Sequence, residues 1–219
     1  MSDRQLMKDV ALLFKDHVKH PKTHAALKAL VNIATPVSLR RDMDLDPGRY
    51  LVAEGYVSRE IAGHNGDIHI AQIFAAGELF KVPAPDQAAG LAHRGLTSTR
   101  LVKFSDEGWD EIVQDFPNLA LMLMTQCEAA CAKFARRMAS LMGDSVRTRL
   151  ARYLLEQSDG SQEMRLELRQ YDLARYFGVQ PETITRTIRA LADEGLIAHD
   201  HTKITLREPE ILTEIAAIS

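Results

Sequence analysis

Glu182, Thr185, Arg186 and Arg189 recur at i, i+3, i+4 and i+7, so a helix would carry them as one stripe. Their types suit the reading of base edges. An arginine fork bonds O6 and N7 of guanine, a glutamate accepts from cytosine N4, and a threonine offers a hydroxyl, or its methyl to thymine. As a bare surface ion pair, Glu182 and Arg186 would contribute only about 0.3–0.5 kcal/mol. Arg169, Gln180, Thr183 and Lys203 complete the candidate DNA-contacting set.

The elements around this stripe are those needed to aim it. Met164 to Leu168 reads as a short strand, Gln170 to Phe177 as a short helix, Gly178-Val179 as a tight turn and Pro181 to Asp193 as a second helix. Pro181 suits a first helical turn, where its missing N–H would be unpaired anyway. Leu173, Phe177, Val179, Ile184, Ile188 and Leu191 fall inward, and Ala174 and Gly178 are small where two helices must cross closely. This is the pattern of a helix-turn-helix, whose second helix enters the major groove N-terminal end first. Gly195 to Leu206 then reads as two strands around a polar tip, a wing.

A second pattern lies upstream. After Pro117, Ala120, Met124, Cys127, Cys131, Phe134, Met138 and Leu141 repeat at spacings of 4, 3, 4, 3, 4 and 3. Such a heptad seam wants a partner helix, most simply its own copy in a parallel dimer, or else burial against its own β unit. Cys127 and Cys131 are one turn apart on it. Across a parallel pair they could meet as thiols, a disulfide or soft-metal ligands, but a free cysteine also packs as a small hydrophobe, and packing is the expectation. His17, His20 and His24 cluster around Pro21 without a thiolate or carboxylate that completes a ligand spacing, and His69 and His93 sit in the β region. No metal site is expected. No Ser-His-Asp order, Gly-rich phosphate loop or paired-carboxylate spacing is found, which argues against an enzyme.

Residues 3–34 read as helical with an interruption at Pro21, and from Val37 to Phe104 the period shortens to that of strands, with Asn65-Gly66-Asp67 as the best hairpin turn. Ser105 caps a helix over 106–115, a long helix runs from Pro117 to about Met142, and Ser145 caps the next after the Gly143-Asp144 break. The chain has 219 residues, 46% apolar, room for two modest domains. No apolar stretch approaches a bilayer span, no basic-then-apolar leader opens the sequence, and two cysteines make no disulfide framework, so a soluble cytoplasmic protein without membrane contact is expected. Net charge is −3, and residues 145–219 carry 10 basic against 12 acidic groups, so DNA contact must come from a locally sorted surface. Residues 165–189, with five arginines against three acids, are such a window.

The order of β unit, long seam helix and winged helix-turn-helix resembles the cyclic-AMP receptor / fumarate-nitrate regulator (Crp–Fnr) superfamily. Gly178-Val-Gln-Pro-Glu-Thr-Ile-Thr-Arg186 resembles its recognition-helix signature, and Glu182, Thr185 and Arg186 resemble the fumarate-nitrate branch in particular. The resemblance implies an α+β fold: a β-roll of the cyclic-nucleotide-binding kind, shortened between Val37 and Tyr50, a coiled-coil dimerisation helix, and a winged helix-turn-helix. The expected divisions are 1–116, 117–143 and 144–219. It further implies a homodimeric regulator on TTGAT-type palindromes, RNA polymerase as a partner, and control by an effector or redox signal sensed in the N-terminal domain. The family's Arg-Ser-Ala phosphate cassette is absent after Gly77-Glu78-Leu79, which itself aligns better with the preceding turn, and Arg94 stands in the wrong context, arguing against a cyclic nucleotide. No N-terminal cysteine cluster is present for an iron–sulfur centre; haem or another small effector stays open. The alternatives are an effector-independent DNA binder with a degenerate sensor, and a protein-interaction or ligand-binding module whose helix-turn-helix is vestigial.

Overall fold

The structure is a computed structural model that describes residues 3–14, 21–64, 66–88, 90–158, 160–161, 163–200 and 203–217. His17, His20 and Asn65 lie outside the described residues. The chain forms two compact units, Met1–Ala130 and Cys131–Ser219, which divide within one helix.

The N-terminal unit opens with α1 (Asp3–Ala11), a 3₁₀ turn (Leu12–Phe14) and α2 (Pro21–Asn32). Pro21 therefore opens a helix, because its fixed φ suits the first helical position. Seven strands follow: β1 (Ala34–Leu39), β2 (Gly48–Glu54), β3 (Val57–Ala62), β4 (Ile68–Phe74), β5 (Leu79–Val82), β6 (Leu91–Gly95) and β7 (Thr99–Phe104). They make two antiparallel sheets, ordered β1-β7-β2-β5 and β4-β3-β6. β1 begins at Ala34 and contains Pro36, which is tolerated because β1 is an edge strand and one missing donor costs no ladder on its open side. Between Leu39 and Gly48 the described chain makes only a single bridge, Asp44 to Arg94.

Tyr50-Leu-Val and Leu101-Val are buried throughout because the first sheet is covered on both faces. Leu51, Val102 and Phe104 point to the helices, joining Leu13, Phe14, Leu30, Trp109 and Leu119 in one cluster. Tyr50, Val52 and Leu101 point the other way, against Val57, Phe74 and Phe80 between the sheets. α1 is also tied to the sheet electrostatically. Arg100 on β7 pairs with the buried Asp9 and, at 3.1 Å, with Glu54.

α3 (Asp106–Asp115) starts where Ser105 Oγ accepts the Gly108 N–H at 3.1 Å. Gly108 is required there, since a Cβ would come within 2.5 Å of Ile33 Cγ2. α4 (Pro117–Gly143) crosses the division between units, with Leu119 and Met122 buried near its start.

The C-terminal unit continues with α5 (Val146–Ser158), whose Thr148 N–H donates to Ser145 Oγ at 3.1 Å. Then come β8 (Glu163–Arg165), α6 (Gln170–Phe177), α7 (Pro181–Asp193), β9 (Ile197–Asp200), β10 (Lys203–Leu206) and α8 (Pro209–Ala217). The three strands form a small sheet, ordered β8-β10-β9.

Candidate nucleic-acid interface

α6 and α7 are built from local signals. Gly178 ends α6 in the left-handed conformation (φ 65°), which a residue without Cβ adopts freely, and Val179 N–H returns to Ala174 O at 3.0 Å. Pro181 then takes the first turn of α7. Leu173, Ala174, Phe177, Ile184, Ile188 and Leu191 are buried between and beneath the two helices; Val179 is half-buried. Thr185 Oγ1 donates across the pair to Gln170 Oε1 at 2.7 Å, with Pro181 O also within 3.2 Å. Asp172, fully buried in the first turn of α6, accepts from Arg169 Nε at 3.0 Å.

This packing leaves Glu182, Arg186 and Arg189 exposed along one stripe of α7. Among the described residues no ion pair joins Glu182 to Arg186, so both heads stand free for an external partner. Gln180 is exposed at the N-cap, and Thr183 is half-buried. The structure redirects three of the other candidates. The Thr185 hydroxyl is bonded to Gln170; Arg169 braces Asp172; Lys203 Nζ lies 2.6 Å from Glu163 across the wing sheet. Gln170 sits on the other helix, α6, and so shares no helical spacing with the stripe.

Four of the remaining arginines of this unit bond within it. Arg152 donates to Asp144, to Ser140 Oγ and to Ala216 O at the end of α8. The Ser140 hydroxyl and the Arg152 guanidinium hold the Asp144 carboxyl below the usual carboxylate range. Arg147 grips Glu194 at the C-cap of α7 with both ends of its fork. Arg137 and Arg149 bond the last two carbonyls of α6. The arginines of the unit are thus sorted by the fold, and Arg186 and Arg189 are left on the exposed stripe of α7.

The seam residues of α4 lie open. Met124 is 61%, Phe134 46% and Met138 39% exposed, Cys127 and Cys131 are exposed, and Ala120 and Leu141 are half-exposed. In the N-terminal unit His69 is exposed and His24 lies exposed on α2. Among the described residues no group of three His, Cys, Asp or Glu could hold a metal ion. Arg94 is taken up by Asp44 at 3.0 Å, and Glu78 Oε2 braces its own turn by accepting from Ala75 N at 2.7 Å. No described helix is long and apolar enough to cross a membrane.

His93 is the most unusual group of this unit. It is 1% exposed and stacks on Phe80 (centroids 5.6 Å apart), which stacks on Phe74 at 4.4 Å. Its Nε2 accepts from Arg59 Nε at 3.1 Å, so the neutral ring carries its proton on Nδ1, a buried donor with no partner among the described residues. Burial, and then the Arg59 cation, push the imidazole down to about 4. Since the unfolded ring titrates near 6.5, unfolding takes up a proton between those values. Stability is fully present above about pH 6.5 and falls as pH drops towards 4, by on the order of 1–3 kcal/mol. Urea unfolding at pH 7.0 and 4.5 should show a smaller loss for His93→Gln than for the wild type; equal losses would refute this.

The fold defines the class: a winged helix-turn-helix domain that follows an antiparallel β domain. Residues 148–215 match the family model of the Crp-like helix-turn-helix domain. The chain is 27% identical to the cyclic AMP receptor protein of Thermus thermophilus over 179 residues, covering 79% of this chain and 81% of that one. It is 26% identical to the probable transcriptional regulator flp of Lacticaseibacillus casei over 123 residues, 55% of this chain and just over half (56%) of the relative. Its fold is similar to that of FixK2 from Bradyrhizobium japonicum, with a TM-score of 0.74 at 21% identity over 85% of this chain and 99% of that one. Residues 148–215 thus carry a Crp-like helix-turn-helix domain, and the chain is similar over most of its length to regulators of the Crp–Fnr kind.

Proposed function

We propose that the protein acts as a homodimer, paired along the α4 seam, that presents two α7 helices to successive major grooves of a palindromic TTGAT-type operator. The observation that carries this reading is the exposed, unpaired stripe of Glu182, Arg186 and Arg189 on a helix whose other face is locked into the core. The open seam supports the dimer: seven residues at heptad spacing leave an apolar band that a second copy would bury. Half-sites about 34 Å apart match such a two-fold pair. An effector or redox signal received in the N-terminal unit would bias two arrangements of the paired helices and so re-aim the readers. The cyclic-nucleotide clamp does not fit: the cassette is missing and Arg94 is held by Asp44. RNA polymerase is the partner that the family reading supplies, and the cytoplasm the compartment. The filled stack of Phe74, Phe80 and His93 between the sheets favours, as a second reading, a binder that needs no effector.

Fluorescence anisotropy on a TTGAT-N4-ATCAA duplex and a scrambled one, titrated with salt, tests the reading. Selective binding whose affinity falls steeply with log salt is expected, since each phosphate contact releases counterions. A salt-insensitive, unselective interaction would leave only a protein-binding module.

A further inference from the structure

The ends of helices are where the backbone runs out of internal partners, and α6 ends in an unusual way. Its last carbonyls, Tyr176 O and Phe177 O, are bonded by arginines from two other helices. Arg137 of α4 donates from Nη2 to Tyr176 O at 2.6 Å with its guanidinium 4.0 Å over the Tyr176 ring. Arg149 of α5 donates from Nη1 to Phe177 O and lies 5.7 Å over the Phe177 ring. A cation at a helix C-terminus also meets the negative end of the dipole. Arg137 stands between the seam residues Phe134 and Met138 in sequence, so the helix that carries the open apolar band also grips the first helix of the reader. From there the connection is rigid. Phe177 is buried in the core, and Thr185 hydrogen-bonds Gln170 across the two helices. Any roll of α4 about its axis must therefore drag the C-terminal end of α6, and α7 with it.

We propose that Arg137 is a positioning residue that sets the operator spacing the dimer accepts, by fixing the angle between the seam helix and the reader. The inference rests on the homodimeric reading above. Each added base pair turns one half-site by about 34° relative to the other, so a rigid dimer accepts one spacing and a loosened one accepts several.

The test uses the full chain and TTGAT half-sites separated by three, four, five and six base pairs, together with a duplex holding a single half-site. Wild type, Arg137→Ala and Arg137→Lys are compared by anisotropy, and their association state by sedimentation. For wild type the best spacing should bind about tenfold or more tighter than spacings one base pair away, because poor geometry forfeits the second contact. In Arg137→Ala that ratio is expected to fall to about twofold while half-site affinity and dimerisation stay unchanged, and in Arg137→Lys, which keeps a cation and a donor, to be partly restored. If Ala fails to fold, Arg137→Gln carries the same comparison. An unchanged spacing profile in a dimeric variant overturns the inference alone, as does an equal loss on every duplex including the single half-site, which would mark Arg137 as merely structural. A monomeric wild type overturns the homodimer reading, and this inference with it.

Discussion

Met124→Asp is expected to convert the protein to a monomer and to weaken operator binding by about 10²–10⁴-fold, the range lost when two linked contacts become one. Met124 is 61% exposed in the single chain, so the substitution removes almost nothing from the chain's own core. In a parallel pair, however, the same position faces its copy across the seam. Two carboxylates would be brought together in an apolar strip, where each would be desolvated with no partner. Sedimentation velocity reads the association state and anisotropy reads the operator affinity. Met124→Leu, which keeps volume and apolarity, should leave both near the wild-type values. A dimeric Met124→Asp protein with intact affinity would remove the seam from the interface.

The other large effect is expected at Arg186. Arg186→Ala should cost about 1–3 kcal/mol on the operator and relax the preference at one base pair, in line with the loss of one bidentate guanine contact. The argument depends on Arg186 being exposed, without an internal ion pair, on a helix whose buried side is unaffected. Thermal stability should therefore stay within experimental error while selectivity in a randomised-site assay falls. Arg147→Ala is the contrasting case. It breaks the fork on Glu194, an exposed pair at the end of α7, and should change specificity little. If selectivity survives in Arg186→Ala, another side chain reads that base.

These two sites differ in how plainly they can be read from the chain. The stripe of Glu182, Arg186 and Arg189 follows from helical spacing, and the helix that carries it follows from Gly178, Pro181 and the inward positions Ile184, Ile188 and Leu191. All of these are local rules, acting over one or two turns. The Ser105 and Ser145 caps are similarly local, and each hydroxyl is found on the N–H three residues ahead. Pro36 shows the limit of such reading. It suggests a helix stop, yet it stands inside a strand, because only the sheet order makes that strand an edge.

Charge is where local rules give out. Arg137, Arg147, Arg149 and Arg152 look in sequence like Arg186, but their partners lie 8 to 64 residues away along the chain. Whether a guanidinium meets water, a phosphate or the end of another helix is settled by which elements pack beside it, and no periodicity encodes that. His93 is a similar case: an ordinary alternating position of β6 that becomes a buried, neutral ring only because two phenylalanines and Arg59, from other strands, close around it. The order of elements, the caps, the seam and the reading stripe are properties of short stretches of this chain. The two-sided burial of the first sheet, the bracing of the helix ends by arginine and the state of His93 exist only once distant segments meet, because desolvation and pairing depend on what surrounds a group in space.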